Sequence, residues 1–201
     1  MRFNKETFIT GFALFSMFFG AGNLLLPPML GYNSGQDWYI VAIGFIITAV
    51  VIPLLGILAH ARLQGTMYDF AKKVSPIFSI VYCVIVYIIS VTIPSPRTAA
   101  ATYETVIAPN FGGISSLVNS IIYFGLVFVF VSNRSKILSL LGKYLTPVIV
   151  CILLLVIGIG LFSTEEIINP VEKLTFFEGL IEGYQTFDAI GAVLVLSLIH
   201  I

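Results

Sequence analysis

Long apolar stretches recur along the whole sequence and decide what it can fold into. Each is about twenty residues long, enough to cross the hydrocarbon core of a bilayer as a helix. They cover Thr7–Leu30, Trp38–Ala61, Ile77–Thr98, Ile114–Val131, Leu145–Phe162 and Phe176–Leu196. The chain is 58% hydrophobic and only 10% charged, whereas soluble domains carry roughly 25% charged residues. We therefore predict an all-α polytopic membrane protein with six transmembrane helices.

Lysine and arginine residues alternate between the two sides of these spans. The basic loops carry Arg2, Lys5, Arg62, Lys72, Lys73, Arg134, Lys136 and Lys143. The other loops carry Asp37, Glu165, Glu166, Glu172 and a single lysine, Lys173. Because cytoplasmic loops are enriched in basic residues, we predict a cytoplasmic N-terminus. A cleaved signal peptide over Met1–Asn23 is the alternative, but the apolar run resumes directly at Leu24.

The remaining composition predicts few other features. Residues Met67–Val74 mix apolar and charged side chains and are expected to form a short interfacial helix. Cys83 and Cys151 lie inside apolar runs, and the sequence has no spaced cluster of metal-binding residues. The net charge is zero, which gives no indication of nucleic acid binding. No linker divides the sequence, so residues 1–201 are predicted to form a single transmembrane domain.

The first apolar stretch contains residues that disfavour a continuous helix, FFGAGNLLLPP over Phe18–Pro28. Gly20 and Gly22 permit unusual backbone angles, and Pro27 clashes with the carbonyl of Asn23. Gly20 lies about 18 Å into a hydrocarbon core that is about 30 Å thick. Non-helical backbone at that depth is tolerated where it is buried or lines a cavity. We predict an interruption at Gly20–Asn23 that binds a solute or an ion, with close helix packing as the alternative.

The last apolar stretch contains a second polar interruption. Gly183 is followed by Tyr184, Gln185, Thr186 and Asp188. Asp188 lies about 12 Å from the cytoplasmic edge, which is close to the depth of Gly20. The similar depths predict one shared site, and a carboxylate inside a membrane is a functional candidate by default. The alternatives are a structural hydrogen bond for Asp188 and a wet outer vestibule for Tyr184 and Gln185.

A third polar cluster follows the third apolar stretch, TIPSPRTAAATYE over Thr92–Glu104. Arg97 and Glu104 are seven positions apart and share one face of a continuous helix. We interpret Arg97 as part of an outer gate or as a contact for an anion, with Glu104 as its partner in the gate. The alternative is an arginine that extends to the outer membrane interface.

These three clusters together resemble the bacterial branched-chain amino acid carriers, the leucine/isoleucine/valine:cation symporters. The residues that carry the resemblance are FFGAGNLLLPPMLG (Phe18–Gly31), PRTAA (Pro96–Ala100) and EGYQTFDAIGA (Glu182–Ala192). The resemblance implies a broken-helix transporter fold built from two inverted repeats of five helices. It also implies Na⁺ symport of leucine, isoleucine or valine across the bacterial cytoplasmic membrane, with no cofactor.

The resemblance implies roles for individual residues near the first interruption. Backbone N–H groups at Gly20, Ala21 and Gly22 would bind the substrate carboxylate, and the Asn23 side-chain oxygen would bind sodium. With the second interruption included, the predicted substrate-binding residues are Phe18, Gly20, Ala21, Gly22, Tyr184, Gln185 and Thr186. The predicted cation-binding residues are Ser16, Phe19, Asn23 and Asp188.

The family pattern differs from this sequence in length, because its members have about twelve spans, twice the number that can be counted here. We therefore expect the N-terminal half of such a carrier, with the first repeat over residues 1–165 and helix six over 176–196. The tail Leu196–Ile201 resembles translated adapter sequence rather than protein. On this reading the chain is a fragment that does not transport by itself.

Three other functions compete with sodium symport. A proton-coupled permease for another amino acid would use Asp188 as its proton carrier. A membrane enzyme would need paired carboxylates, for which only Glu104 and Glu182 are available, or a histidine-rich helix, and HExxH is absent. A channel would need rings of filter residues, which are not visible in the sequence. We predict a carrier and not an enzyme.

Overall fold

A computed structural model describes residues 5–63, 65–132, 140–162 and 174–199 of the chain. The regular elements in these ranges are all helical. They are α1 (Lys5–Phe18), α2 (Ala21–Ser34), α3 (Trp38–Ile46), α4 (Ile52–Leu63), α5 (Met67–Lys72), α6 (Pro76–Thr92), α7 (Pro94–Thr102), α8 (Ala108–Asn110), α9 (Ser116–Val131), α10 (Thr146–Phe162), α11 (Phe176–Tyr184) and α12 (Asp188–Ile199). Several residues used above lie outside the described ranges: Arg2, Arg134, Lys136, Glu165, Glu166, Glu172, Lys173 and Ile201.

Three helical stretches in the described ranges are long and apolar enough to cross a membrane. They are Ala21–Leu63, Pro76–Asn110 and Lys143–Phe162. Shorter apolar helices cover Thr7–Phe18 and Ser116–Val131. An all-helical fold with three candidate membrane-spanning helices is therefore confirmed for the described part of the chain, while the count of six spans stays a prediction.

The first of these stretches reverses direction at Gly35. Leu26 of α2 and Ala49 lie in the same buried hydrophobic cluster, although a straight helix would place them about 34 Å apart. Gly35 has a φ of 53°, which glycine adopts without the steric cost that a side chain imposes. A short 3₁₀ turn, Gly35–Asp37, then leads into α3. The stretch thus contains α2 and the whole of the second predicted span.

Two helices extend past the predicted ends of their spans. Helix α2 ends at Ser34, beyond the predicted Leu30, because it continues until the left-handed Gly35. The third helical stretch continues to Asn110 rather than Thr98. Its small-residue segment does not end the helix, which terminates only before Gly112 and Gly113.

Prolines explain three wider, π-helical turns. These turns cover Ile47–Val51, Tyr103–Ile107 and Leu141–Leu145, and each is followed at the second position by a proline, namely Pro53, Pro109 and Pro147. A proline ring clashes with the carbonyl four residues earlier, which here is the central residue of each turn. The wider turn removes that clash while the helix continues.

The chain forms two compact units. The first consists of Met1–Phe19 and Ala99–Ile167, and the second of Gly20–Thr98 and Ile168–Ile201. In the first unit, polar side chains join helices through backbone carbonyls. The fully buried Thr146 hydroxyl donates to the Phe12 carbonyl at 2.8 Å, and the buried Asn119 amide donates to the Ala99 carbonyl at 3.2 Å. Such bonds satisfy polar groups that lipid cannot.

Glycines hold the helices of the second unit in backbone contact. A Cβ atom on Gly179 of α11 would lie 2.1 Å from the Val41 carbonyl oxygen of α3. A Cβ atom on Gly44 of α3 would lie 2.4 Å from the Phe176 carbonyl oxygen. A side chain at these positions would therefore force α3 and α11 apart. At the other end of the unit, α12 packs on α4, where Ala192 lies 3.6 Å from a Cβ built on Gly56.

The predicted interfacial segment contains a helix, α5, at Met67–Lys72. Its N-terminus is closed by a capping box in which the Thr66 N–H donates to the Asp69 carboxylate at 2.9 Å and the Asp69 N–H donates to the Thr66 hydroxyl oxygen at 3.4 Å. The Thr66 hydroxyl also donates to this carboxylate, at 2.7 Å. These bonds lower the pKa of Asp69. The Ser79 hydroxyl of α6 donates to the Tyr68 carbonyl at 2.6 Å and attaches α5 to α6.

Candidate functional site

The first helix interruption is short. Helix α1 ends at Phe18 and α2 begins at Ala21, with Gly20 as an extended N-cap residue (φ −93°, ψ −174°). No side chain caps α2, and its first turn has no acidic residue. The first N–H groups of a helix have no acceptor within it, and they carry partial positive charge. The start of α2 is therefore suited to an anionic group.

The predicted extent of this interruption needs correction. Asn23 is helical, and α2 passes through Pro27 and Pro28 without a break. The glycine therefore interrupts the chain, whereas the prolines only remove hydrogen-bond donors. The Leu24 carbonyl loses the most. In a helix its hydrogen-bond donors would be the N–H groups of residues 27 and 28, and both of these residues are prolines without an N–H.

The second interruption has its own irregular backbone. Helix α11 ends at Tyr184, Gln185–Phe187 are not helical, and α12 begins at Asp188. Phe187 has a φ of 60°, a left-handed conformation that is strained for a bulky residue. Local bonds satisfy much of the freed backbone. The Gly183 carbonyl accepts from the Thr186 N–H at 3.3 Å and from its hydroxyl at 2.7 Å.

The two interruptions meet inside the second unit. The Asn23 amide nitrogen donates to the Asp188 carboxylate at 2.6 Å, and Asp188 is only 9% exposed. A Cβ atom on Gly22 would lie 3.6 Å from the Cα atom of Thr186, so the two backbones are in near contact. Four residues predicted from separate parts of the sequence are thus neighbours.

Arg97 contacts the second interruption from α7. Its guanidinium donates to the Gln185 carbonyl at 2.8 Å, and this carbonyl is one of those released where α11 ends. The Gln185 side chain donates to Glu182 at 3.1 Å. Arg97 is exposed, so most of its five N–H donors remain accessible to another group.

The other predicted residues are Tyr184 in the second unit and four residues of the first unit. Tyr184 is 63% exposed, and its ring lies 6.5 Å from that of Phe187. The remaining predicted residues, Ser16, Phe18, Phe19 and Glu104, belong to the first unit. The Ser16 hydroxyl donates to the Ala13 carbonyl at 2.9 Å, the Phe19 ring stacks on that of Phe15, and Glu104 is exposed in a π-helical turn.

The sequence analysis did not identify two residues that shape the second interruption. Phe187 has the left-handed backbone described above. This conformation is visible only in the structure, because nothing in the sequence marks phenylalanine for it. Thr48 donates its hydroxyl to the Leu180 carbonyl of α11 at 2.9 Å. The signal for Thr48 in the sequence is Pro53, which predicts a distorted turn at this level of the helix.

The chemistry of this site favours a hard cation or an anion rather than a transition metal. It offers carboxylate, amide and carbonyl oxygens, which are ligands for hard cations. No cluster of three or more histidine, cysteine or acidic residues occurs among the residues that the structure describes. The interrupted helices meet in a partly buried polar contact, and with the long apolar helices they place this chain in the class of α-helical membrane proteins with an internal polar site.

Comparison with known proteins gives the family. Residues 3–200 match the family described as "Branched-chain amino acid transport protein". The chain is 38% identical to proteins of Staphylococcus aureus strains USA300 and NCTC 8325, and 36% identical to one of strain MRSA252, each named "Putative branched-chain amino acid carrier protein". Each match covers 94% of this chain and 45% of the relative. No solved structure matches.

The chain belongs to this family of branched-chain amino acid transport proteins. It spans a little under half the length of the curated relatives that it matches. The family is described as one of transport proteins, and the long apolar helices of this chain agree with a place in the bacterial cell membrane.

Proposed function

We propose that the complete protein carries leucine, isoleucine and valine across the bacterial cytoplasmic membrane together with a cation, with Na⁺ as the expected ion. The observation that carries this proposal is the bond between Asn23 and Asp188. It joins the two interrupted helices through groups whose oxygens suit a hard cation. Family membership supports the substrate class.

The substrate carboxylate binds at the start of α2 in this proposal. The N–H groups of Ala21 and Gly22 lie in an uncapped first turn, and a helix N-terminus is a favourable place for an anion. Gly20 adds its own N–H, and the space beside its Cα atom is open, with no atom within 4 Å of a Cβ built there. Thr186 lies next to this turn, 3.6 Å from a Cβ built on Gly22, and in this proposal Thr186 and Gln185 supply further polar groups.

The aliphatic part of the substrate needs an apolar wall. Tyr184 offers an exposed ring next to that of Phe187. Phe18 is assigned to the same wall by the family resemblance. Tyr184 and Phe18 would then discriminate aliphatic side chains from polar ones, because a polar side chain would lose its hydrogen bonds to water there.

The cation binds between Asn23 and Asp188 in this proposal, and Ser16 and Phe19 are assigned to a second cation by the resemblance. In the structure the Asn23 nitrogen faces the carboxylate. To bind a cation with its oxygen, the amide must rotate by half a turn, since its two ends are a donor and an acceptor. The Leu24 carbonyl, which lacks helical donors, is one further ligand available in the same helix. Cation binding would then order the turn that also binds substrate, which is the basis of coupling.

The remaining assignments follow the broken-helix transporter architecture. We propose six spans in this chain with a cytoplasmic N-terminus, and an inverted five-helix repeat in the complete protein. Arg97 and Glu104 form part of an outer gate, in which the contact of Arg97 with Gln185 ties α7 to the second interruption.

The test is leucine uptake by cells that express the complete gene with Asn23→Ala. Loss of the amide oxygen should raise the half-saturating sodium concentration by roughly tenfold, and it should weaken leucine binding by linkage. Asn119→Ala is the matched control, because the Asn119 side chain is also an amide that donates to another helix, at the Ala99 carbonyl, and it belongs to the first unit. An unchanged sodium dependence in Asn23→Ala would refute the cation assignment.

Proton coupling is the second candidate, and the burial of the Asp188 carboxylate favours it. A buried intramembrane carboxylate can carry a proton between two aqueous phases. In that case Asp188→Asn would abolish uptake driven by a pH gradient, and the wild-type carrier would not respond to sodium. Under sodium symport, the wild type responds to sodium and is insensitive to the pH gradient.

A further inference from the structure

We propose that Thr48 is a positioning residue for the second interruption, and that it sets the affinity of the carrier for its cation by holding the end of α11. Its consequence for transport rests on the proposed function, whereas its effect on the interruption itself does not. The hydrogen bonds of the Thr48 hydroxyl go to its own helix and to α11, so it acts on the site through α11.

The hydroxyl of Thr48 is directed at the neighbouring helix. Thr48 lies in the π-helical turn Ile47–Val51, where the Ile52 N–H donates to the Ile47 carbonyl, five residues earlier. Its oxygen is 3.4 Å from the Gly44 and Phe45 carbonyls of its own helix but 2.9 Å from the Leu180 carbonyl. A hydroxyl has one hydrogen, and the shortest of the three contacts is the one between helices.

The surroundings of this bond leave little room for another donor. A Cβ atom on Gly183 would lie 2.2 Å from the Thr48 oxygen and 2.6 Å from the Phe45 carbonyl oxygen. Gly183 is buried. The hydroxyl therefore occupies the space that a side chain at position 183 would fill.

The position of Leu180 explains why one bond has consequences for the site. In an α-helix its carbonyl accepts the N–H of Tyr184, the last residue of α11. Thr48 therefore fixes the carbonyl that closes the final turn. The non-helical residues Gln185–Phe187 follow, and Asp188 comes directly after them. If the final turn loosens, Asp188 changes its position relative to Asn23, and the oxygens that bind the cation no longer converge.

Three variants of the complete carrier separate positioning from stability. Thr48→Val removes the hydroxyl with little change of shape, Thr48→Ser retains it, and Thr92→Val is the control, since the Thr92 hydroxyl bonds only to its own helix at Ile88. We expect Thr48→Val to raise the half-saturating sodium concentration roughly three- to tenfold, the range for one lost hydrogen bond. The maximal rate per carrier at the cell surface should change less than twofold. Thr48→Ser should restore the wild-type sodium dependence, and Thr92→Val should not alter it.

Amide hydrogen exchange on the 201-residue chain provides a readout that does not depend on transport. Exchange at Gln185–Asp188 should be faster in Thr48→Val than in wild type and Thr48→Ser by a similar factor. If Thr48→Val does not insert into the membrane, the smaller Thr48→Ala replaces it in both measurements. Unchanged exchange at these residues would overturn the proposal, as would a lower maximal rate with unchanged sodium dependence. A wild-type carrier without sodium dependence would refute the proposed function and leave the exchange result to decide the role of Thr48.

Discussion

Among the glycines that the structure describes, Gly179 makes the tightest contact between helices, and it gives the sharpest prediction of stability. In the second unit, a Cβ atom on Gly179 would lie 2.1 Å from the Val41 carbonyl oxygen and 3.0 Å from the carbonyl carbon. Carbon and oxygen atoms in close helix contacts are normally about 3.3 Å apart or more. Gly179→Ala must therefore separate α3 from α11 by about 1 Å. Both sides of the contact are backbone, so no side-chain rotation relieves it.

The cost of this separation can be worked from its parts. Overpacking by one methyl group costs about 1–3 kcal/mol, and the upper value applies where the neighbour cannot yield. The separation also weakens the bond from Thr48 to Leu180, which is worth about 1 kcal/mol. Alanine gains back about 1 kcal/mol because it is a better helix former than glycine. We expect Gly179→Ala to lower the free energy of unfolding by about 3 kcal/mol.

Titration of the detergent-solubilised chain with a denaturing detergent measures this change. Trp38 is the only tryptophan and lies at the start of α3, so its fluorescence reports on this helix. Gly125→Ala in α9 is the matched control, because nothing lies within 4 Å of a Cβ at that position. It should leave stability unchanged or raise it by up to about 1 kcal/mol. Equal stability of Gly179→Ala and Gly125→Ala would refute backbone contact between α3 and α11.

Two further predictions concern the gate and α5. Arg97→Ala should raise the half-saturating leucine concentration roughly threefold to tenfold, since the Gln185 carbonyl loses its donor. Arg97→Lys should recover part of this loss. If the effects of Arg97→Ala and Glu104→Gln simply add in the double variant, the two residues do not form a gate together. The capping bonds from Thr66 hold the pKa of Asp69 below its ordinary value of 3.8. Their contribution to the stability of α5 is therefore present above pH 3.8, and it is lost as the pH falls through the lowered pKa of Asp69. Amide exchange in α5, corrected for intrinsic rates, should then accelerate below about pH 4, and Thr66→Ala should remove this pH dependence.

The sequence predicted the parts of the site that local chemistry determines. Glycine next to Asn23 in an apolar segment, and a carboxylate at Asp188 in another, are visible without coordinates because both are costly in lipid. Similar depth was enough to predict that they meet. The depth of each interruption can be calculated from the rise per residue of a helix and the thickness of the bilayer alone.

The residues outside the second interruption that fix the position of α11 were not predictable in the same way. Thr48 is an ordinary threonine in an apolar helix, and its importance comes from the neighbour that it contacts. The same is true of Gly179, which in sequence is one glycine among 17. Tertiary contacts between helices depend on which faces meet, and a single sequence does not record this.

Proline and glycine have different effects in this chain, and the difference explains where the interruptions lie. Each of Pro53, Pro109 and Pro147 follows a π-helical turn, and past Pro53 and Pro147 the helix continues for several turns because only one carbonyl has to move. Pro27 and Pro28 likewise lie inside α2. The chain becomes non-helical at Phe19–Gly20, before an uncapped turn, and at Gln185–Phe187, where Arg97 supplies a donor. An interruption thus needs groups that satisfy the freed backbone, or a ligand that does so, and a proline alone supplies neither.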